Sequence, residues 1–394
     1  MYRLFIVLAL CPIALFVSRW SRGGETRAVY RDTDTGYDTK FDSYVPPSDG
    51  PWTAVAVKNR PATGIMPMCG LTEKGKLEYI RVFADDCYAG TSVTFAKLDE
   101  ELDKLEPGMS AIVRLYFLNG PGENRSSAWA TTPGESGIND WSNPNMMQMV
   151  SELFEKLTLH LRNENRCCLL QLGFGFWSEF HIKGVSMQSG INFPSAAQVD
   201  TLFDIVKANR GPLHVAVSVG VGDNERVLSD NFRTDSTIGL FYDSFMKTKG
   251  DESAYETSIH EASKYDRRVG GEFSNGESIL DSIMDTTKAL MKKRAMHYIF
   301  PNGTSDIMSS SDSQIQELSE YMGYRLKVTA VDKSPNGVSR LRVSNVGIAP
   351  TLYDLNVVHE GVTFMSSLAE LMLGADAATF EAEGERYLQK VPLM

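Results

Sequence analysis

Two short segments hold the side chains best suited to chemistry. Residues 169–181, LLQLGFGFWSEFH, run from an apolar stretch into a carboxylate, Glu179, flanked by Trp177 and Phe180; residues 269–273, VGGEF, carry Glu272. A carboxyl group wedged between aromatic rings is partly desolvated, which favours its protonated form and suits it to give a proton to a leaving group. A second acid, ionised and facing the first across a sugar-sized cleft, would attack or activate water. That pair is the apparatus of glycosidic bond cleavage. Either acid alone reads equally well as one half of a structural ion pair at a strand end. The chemistry therefore depends on whether the fold brings the two together.

Hydrophobic periodicity sets the frame that must do so. Strand-like segments fall at 64–70, 77–87, 110–118, 167–177, 213–222, 238–245, 268–273 and 296–300. Helical patterns, with apolar residues three or four apart, fall between or after them at 95–107, 146–163, 196–209, 253–265, 278–295 and 311–325. Eight strand units in about 270 residues match a TIM (β/α)8 barrel. The competing open doubly wound sheet lacks support, because no G-x-G-x-x-G follows the first strand and no P-loop occurs. On a barrel the acids end strands four and seven, both at the mouth.

The barrel domain is expected over 61–323. From 324 to 394 the period changes to two, with Asn336-Gly337 as a hairpin turn, which predicts a small C-terminal β-sandwich. Residues 21–60 are polar and aperiodic and read as an extended linker or arm. In the first 20 residues an apolar run from Leu4 to Val17 follows Arg3, the pattern of a signal peptide or an uncleaved anchor; export to the cell surface or beyond is expected. Beyond that run no membrane insertion is expected.

Around the two acids, Trp177, Tyr242 and the loop residues Trp129 and Trp141 offer apolar faces on which a pyranose ring can stack, with core packing the competing reading for each. Asp243 is placed to orient a sugar hydroxyl or tune Glu272, with a structural hydrogen bond the competing reading, and His181 to bind substrate, with a structurally satisfied histidine the competing reading. Arg81 and Arg114, on strands two and three, would bind an acidic substituent or neutralise the acids. No metal-ligand spacing and no nucleophile elbow is present, so chemistry without metal or other cofactor is expected.

The chain has 394 residues, 42% apolar and 23% charged, with a net charge of −11. That charge, with no basic run interleaved with aromatics, argues against nucleic acid as a partner. The oligomeric state is not legible. Once an exported chain loses Cys11, four cysteines remain: a Cys69–Cys87 bridge and a set of buried thiols are both open, and Asn124 and Asn302 head glycosylation tripeptides.

The segment WSEFH resembles the W-G-E-W-H element of an uncharacterised bacterial family of TIM-barrel proteins, a domain of unknown function similar to glycoside hydrolases. YDSF (242–245), GGEF (270–273), GYR (323–325) and VSNVGIAP (343–350) follow in that family's order. The resemblance covers roughly residues 77–360 and implies a barrel, a β-sandwich, and acids on strands four and seven. In the larger hydrolase group Asn precedes the strand-four acid; here Ser178 stands there. The expectation is a glycoside hydrolase with Glu179 as general acid/base and Glu272 as nucleophile, retaining configuration. The rival is a non-catalytic carbohydrate-binding protein on the same scaffold.

Overall fold

The structure, a computed structural model, describes residues 77–89, 92–106, 109–125, 138–182, 184–219, 237–245, 267–273, 280–300, 310–324 and 347–349, with strands at 43–45, 52–56, 64–65, 326–333, 339–345, 355–359, 362–366 and 386–390. The N-terminal leader or anchor and the helix expected at 253–265 lie outside the described residues.

Eight strands make one parallel sheet: β1 (Gly64–Ile65), β2 (Leu77–Phe83), β3 (Ser110–Tyr116), β4 (Cys167–Leu172), β5 (His214–Val219), β6 (Ile238–Phe245), β7 (Val269–Phe273) and β8 (Tyr298–Phe300). From β2 onward each strand pairs with its successor in the chain, and β8 pairs with β1, Tyr298 opposite Gly64. A singly wound sheet whose last strand returns to its first is an α/β barrel. All eight strands fall where the apolar periodicity predicts them.

Strands buried on both faces need no alternation. In β3 and β4 every residue is buried. The inner face is filled by Leu77, Ile112, Leu169, Ala216, Phe241, Tyr298 and Phe300. The outer face packs on α1 (Ala96–Asp103), α2 (Pro144–Leu161), α3 (Ala196–Asn209), α4 (Leu280–Lys293) and α5 (Asp312–Tyr321). Local chemistry sets where these helices begin. Pro144 occupies the first turn of α2 behind the Asn143 cap, and Ser195 with Gln198, and Ser311 with Gln314, form capping boxes for α3 and α5.

The described strands of the C-terminal region form one seven-stranded antiparallel sheet. Its order is Ser43–Val45, Leu326–Lys333, Ser339–Asn345, Arg386–Lys390, Val362–Ser366, Leu355–His359 and Trp52–Ala56. Lys333 lies opposite Ser339, and the turn expected at Asn336-Gly337 lies outside the described residues. Both edge strands, Ser43–Val45 and Trp52–Ala56, come from the polar segment 21–60, the rest of which lies outside the described residues.

Between β4 and the helices sits an aromatic hub. Phe174 stacks on Phe154 at 5.9 Å and Phe117 at 6.3 Å, and meets Trp141 at 5.3 Å and Phe180 at 5.5 Å edge to face. Trp141 is 2% exposed, so this aromatic, expected in a binding loop, is a core anchor instead. Because Phe174 touches the elements on either side of it, Phe174→Ala is expected to destabilise the fold by about 3–5 kcal/mol, read by chemical denaturation.

Candidate active site

The sequence predicts that the fourth strand continues through Trp177; the structure ends it at Leu172 and folds the chain back on itself. The Glu179 carbonyl accepts from the amides of Phe174 and Gly175, and the His181 carbonyl accepts from Phe176. A Cβ on Gly173 would collide with the Ser178 carbonyl, and one on Gly175 with the His181 carbonyl. These two glycines are therefore what lets the returning segment lie against the outgoing one. Trp177 and Ser178, at the tip, have φ of 53° and 61°, and the Glu179 amide donates to the Phe176 carbonyl across them. Left-handed backbone at two successive non-glycine residues costs about 1–2 kcal/mol each.

The turn delivers Glu179 to the end of the barrel, 7% exposed. Its Oε2 is 2.5 Å from His181 Nε2, and its Oε1 is 3.6 Å from an Arg114 guanidinium nitrogen. The same nitrogen donates to the Ser178 carbonyl at 3.4 Å. Phe180 does not flank the carboxylate as expected; strand-like alternation turns its ring into the outer core with Phe174. Trp177 is 42% exposed and lies against Gly120, its ring 5.9 Å from that of His181. It is a rim surface beside Glu179. The Ser178 hydroxyl is fully buried without a hydrogen-bond partner, so the residue at the expected Asn position does not face a ligand.

Arg114, 1% exposed, lies over the rings of Phe241 at 5.0 Å and Tyr116 at 5.7 Å. At that burial it is an internal cation for the acids, not a hand for an acidic substituent in solvent. Arg81, paired with it across β2 and β3, is exposed. Tyr79 and Tyr116, which sequence reasoning passed over, share a short hydrogen bond between their hydroxyls. Burial pushes the Tyr79 phenol well up, with Arg114 opposing and the Glu272 charge adding to the rise. Burial likewise raises the Tyr116 phenol; Arg114 and Arg81 oppose, and the Glu179 charge adds. Glu272 thus acts on one end of the phenol pair and Glu179 on the other. The signal for this pair was Tyr79 with Arg81 and Arg114 with Tyr116, two residues apart on adjacent strands and so on one face.

Tyr242 is corrected from a stacking surface to a core residue: 3% exposed, it lies among the outer core residues with Arg294 4.3 Å above its ring. Asp243 lies in β6 where the register with β7 shifts; its side chain, and Trp129, lie outside the described residues. Cys87, Cys167 and Cys168 are free and buried, Cys87 and Cys168 pushed up to about 12 by burial, while Cys69 lies outside the described residues. Among the described residues no group of three or more His, Cys, Asp or Glu is arranged to hold a metal, and no helix is long and apolar enough to cross a membrane.

No protein-family model matches the chain, and no curated protein sequence matches it. Solved structures that it resembles include the catalytic domain of a β-amylase from Paenibacillus polymyxa, at 10% identity and a TM-score of 0.41, covering 67% of this chain and 99% of that one. Endo-glycoceramidase II from Rhodococcus sp. matches at 12% identity and 0.44, covering 89% and 96%. An endoglucanase from Pseudomonas stutzeri matches at 8% and 0.41, covering 68% and 96%. Likeness at this level carries no substrate, and the barrel itself rests on the strand order.

Two outcomes test this geometry. Ser178→Gly removes a left-handed strain and an unpartnered buried hydroxyl, and is expected to stabilise the fold by about 1 kcal/mol in denaturant melts. The raised phenols bind their protons more tightly folded than unfolded. Their contribution is complete below the unfolded tyrosine pKa of about 10 and is lost as pH rises through the folded values. Tyr79→Phe should therefore flatten the alkaline fall of the melting temperature relative to the unaltered protein.

Proposed function

We propose that the protein cleaves a glycosidic bond in an oligosaccharide or polysaccharide, with Glu179 as general acid/base and Glu272 as nucleophile. The observation that supports the reading is placement: Glu179 and Glu272, 93 positions apart in the chain, both act by charge on one hydrogen-bonded tyrosine pair, and Glu272 stands opposite Phe300, whose ring meets Tyr79 at 4.9 Å. In this mechanism Glu179 protonates the leaving oxygen while Glu272 attacks the anomeric carbon, and Glu179 then takes a proton from the water that releases the sugar. His181 holds one Glu179 oxygen in place through both steps. Trp177 offers its exposed face to the sugar on the leaving-group side, since it adjoins the acid/base. Export, expected from the apolar N-terminal run, would fit a polymeric substrate.

A second reading, carbohydrate binding without cleavage, is favoured by one feature: both Glu179 oxygens already face protein partners. Turnover separates the two. On a panel of polysaccharides and 4-nitrophenyl glycosides, Glu179→Gln and Glu272→Gln are each expected to lower turnover by about 10²–10⁴-fold, with product anomers retained by NMR. Unchanged turnover in either variant rejects the assignment, and binding with no cleavage by the unaltered protein supports the second reading.

A further inference from the structure

Counting protons on the two phenols shows a group that the two-acid scheme does not use. Tyr79 and Tyr116 each carry one hydroxyl proton, and burial keeps both protonated well above neutral pH. A single hydrogen bond joins the two oxygens. It uses one proton and leaves the other without a protein acceptor, since neither phenol has a further hydrogen bond. Tyr116 is 5% exposed and Tyr79 half-buried, so that proton lies at the edge of solvent, where an oxygen bound in the cleft can accept it.

The place of this proton in the barrel is specific. Tyr116 ends β3 at the mouth and is 5% exposed, while Tyr79 stands lower on β2, opposite Ile112, and its ring meets Phe300 of β8 at 4.9 Å. Phe300 in turn lies opposite Glu272 on β7. The pair therefore reaches from the β7–β8 side, where Glu272 sits, to the β3–β4 side, where Glu179 sits. Arg114 lies over the Tyr116 ring, so an oxygen approaching the pair also meets positive charge.

We propose that the Tyr79–Tyr116 pair is a third functional group of the cleft, one phenol donating a hydrogen bond to the other and the remaining O–H donating to a substrate oxygen held between Glu179 and Glu272. The proposal rests on the glycoside-cleavage reading and adds a donor to it. As negative charge builds on the oxygen it serves, the hydrogen bond strengthens without either phenol losing its proton. Because the two hydroxyls are interchangeable in principle, each can supply the spare proton when the other is gone.

That interchange gives the test. In assays on the 4-nitrophenyl glycoside turned over best by the unaltered protein, Tyr79→Phe and Tyr116→Phe are each expected to cost less than about tenfold in kcat, and the double variant about 10²–10³-fold. A double-variant loss equal to or smaller than the product of the single losses overturns the proposal. A packing role alone would give that product and leave the pH profile of kcat unmoved. The second arm needs no turnover: ¹³Cζ-tyrosine NMR titrations of the unaltered protein, Glu179→Gln and Glu272→Gln. Removing the Glu272 charge should lower the Tyr79 midpoint, and removing the Glu179 charge the Tyr116 midpoint, each by about half a unit. If neither midpoint moves, the phenols do not face the acids and the proposal falls even where glycosides are cleaved. If both midpoints move but no glycoside in the panel is cleaved, the cleavage reading fails, and the spare phenol proton stands as a ligand-binding donor.

Discussion

The close approach of the chain to itself after β4 is the constraint on which the site depends. Two backbone runs, 173–176 and 178–181, lie so near that side chains at Gly173 and Gly175 would occupy the space of carbonyl oxygens. A strand that simply ran out of the barrel would project Glu179 into solvent. The fold-back sets the carboxylate above the inner residues, with its neighbours Ser178 and Phe180 turned away into protein. The left-handed tip is the strain this arrangement carries. It is offset by the aromatic hub around Phe174, which fixes the base of the turn between α2 and α3.

A second consequence of that turn is electrostatic. Arg114 is almost fully buried, and an isolated cation there would be strongly unfavourable. Its compensation includes the Glu179 carboxylate, the Ser178 carbonyl, and the faces of Phe241 and Tyr116. At this position the cation acts on both phenols, opposing the rise that burial imposes on each.

Much of the scaffold was legible because barrel strands buried on both faces announce themselves as apolar runs; the end of β4 was not. Gly173 and Gly175 did signal close approach, but apolar Phe174 and Phe176 beside them read as continuing strand. Their rings are apolar because they pack under the turn, a tertiary cause invisible to periodicity. Trp141 and Tyr242 were misjudged for a related reason. Aromatic type shows that a side chain will be covered, not whether protein or ligand covers it. The tyrosine pair escaped notice since Tyr79 and Tyr116 meet only through barrel register. The polar segment before residue 60 has no strand signal beyond short runs, and its two strands exist by virtue of the partners they join.

Those two strands have a bearing on how the chain can be shortened. Ser43–Val45 and Trp52–Ala56 close opposite margins of the C-terminal sheet, one against Leu326–Lys333 and the other against Leu355–His359. A version trimmed to start at the barrel would keep every residue of the cleft yet bare two rows of unpaired amides and carbonyls. Exposed rows of that kind recruit further copies edge to edge. Poor solubility of such a trimmed protein would then reflect the lost clasp and say nothing about the chemistry of the mouth.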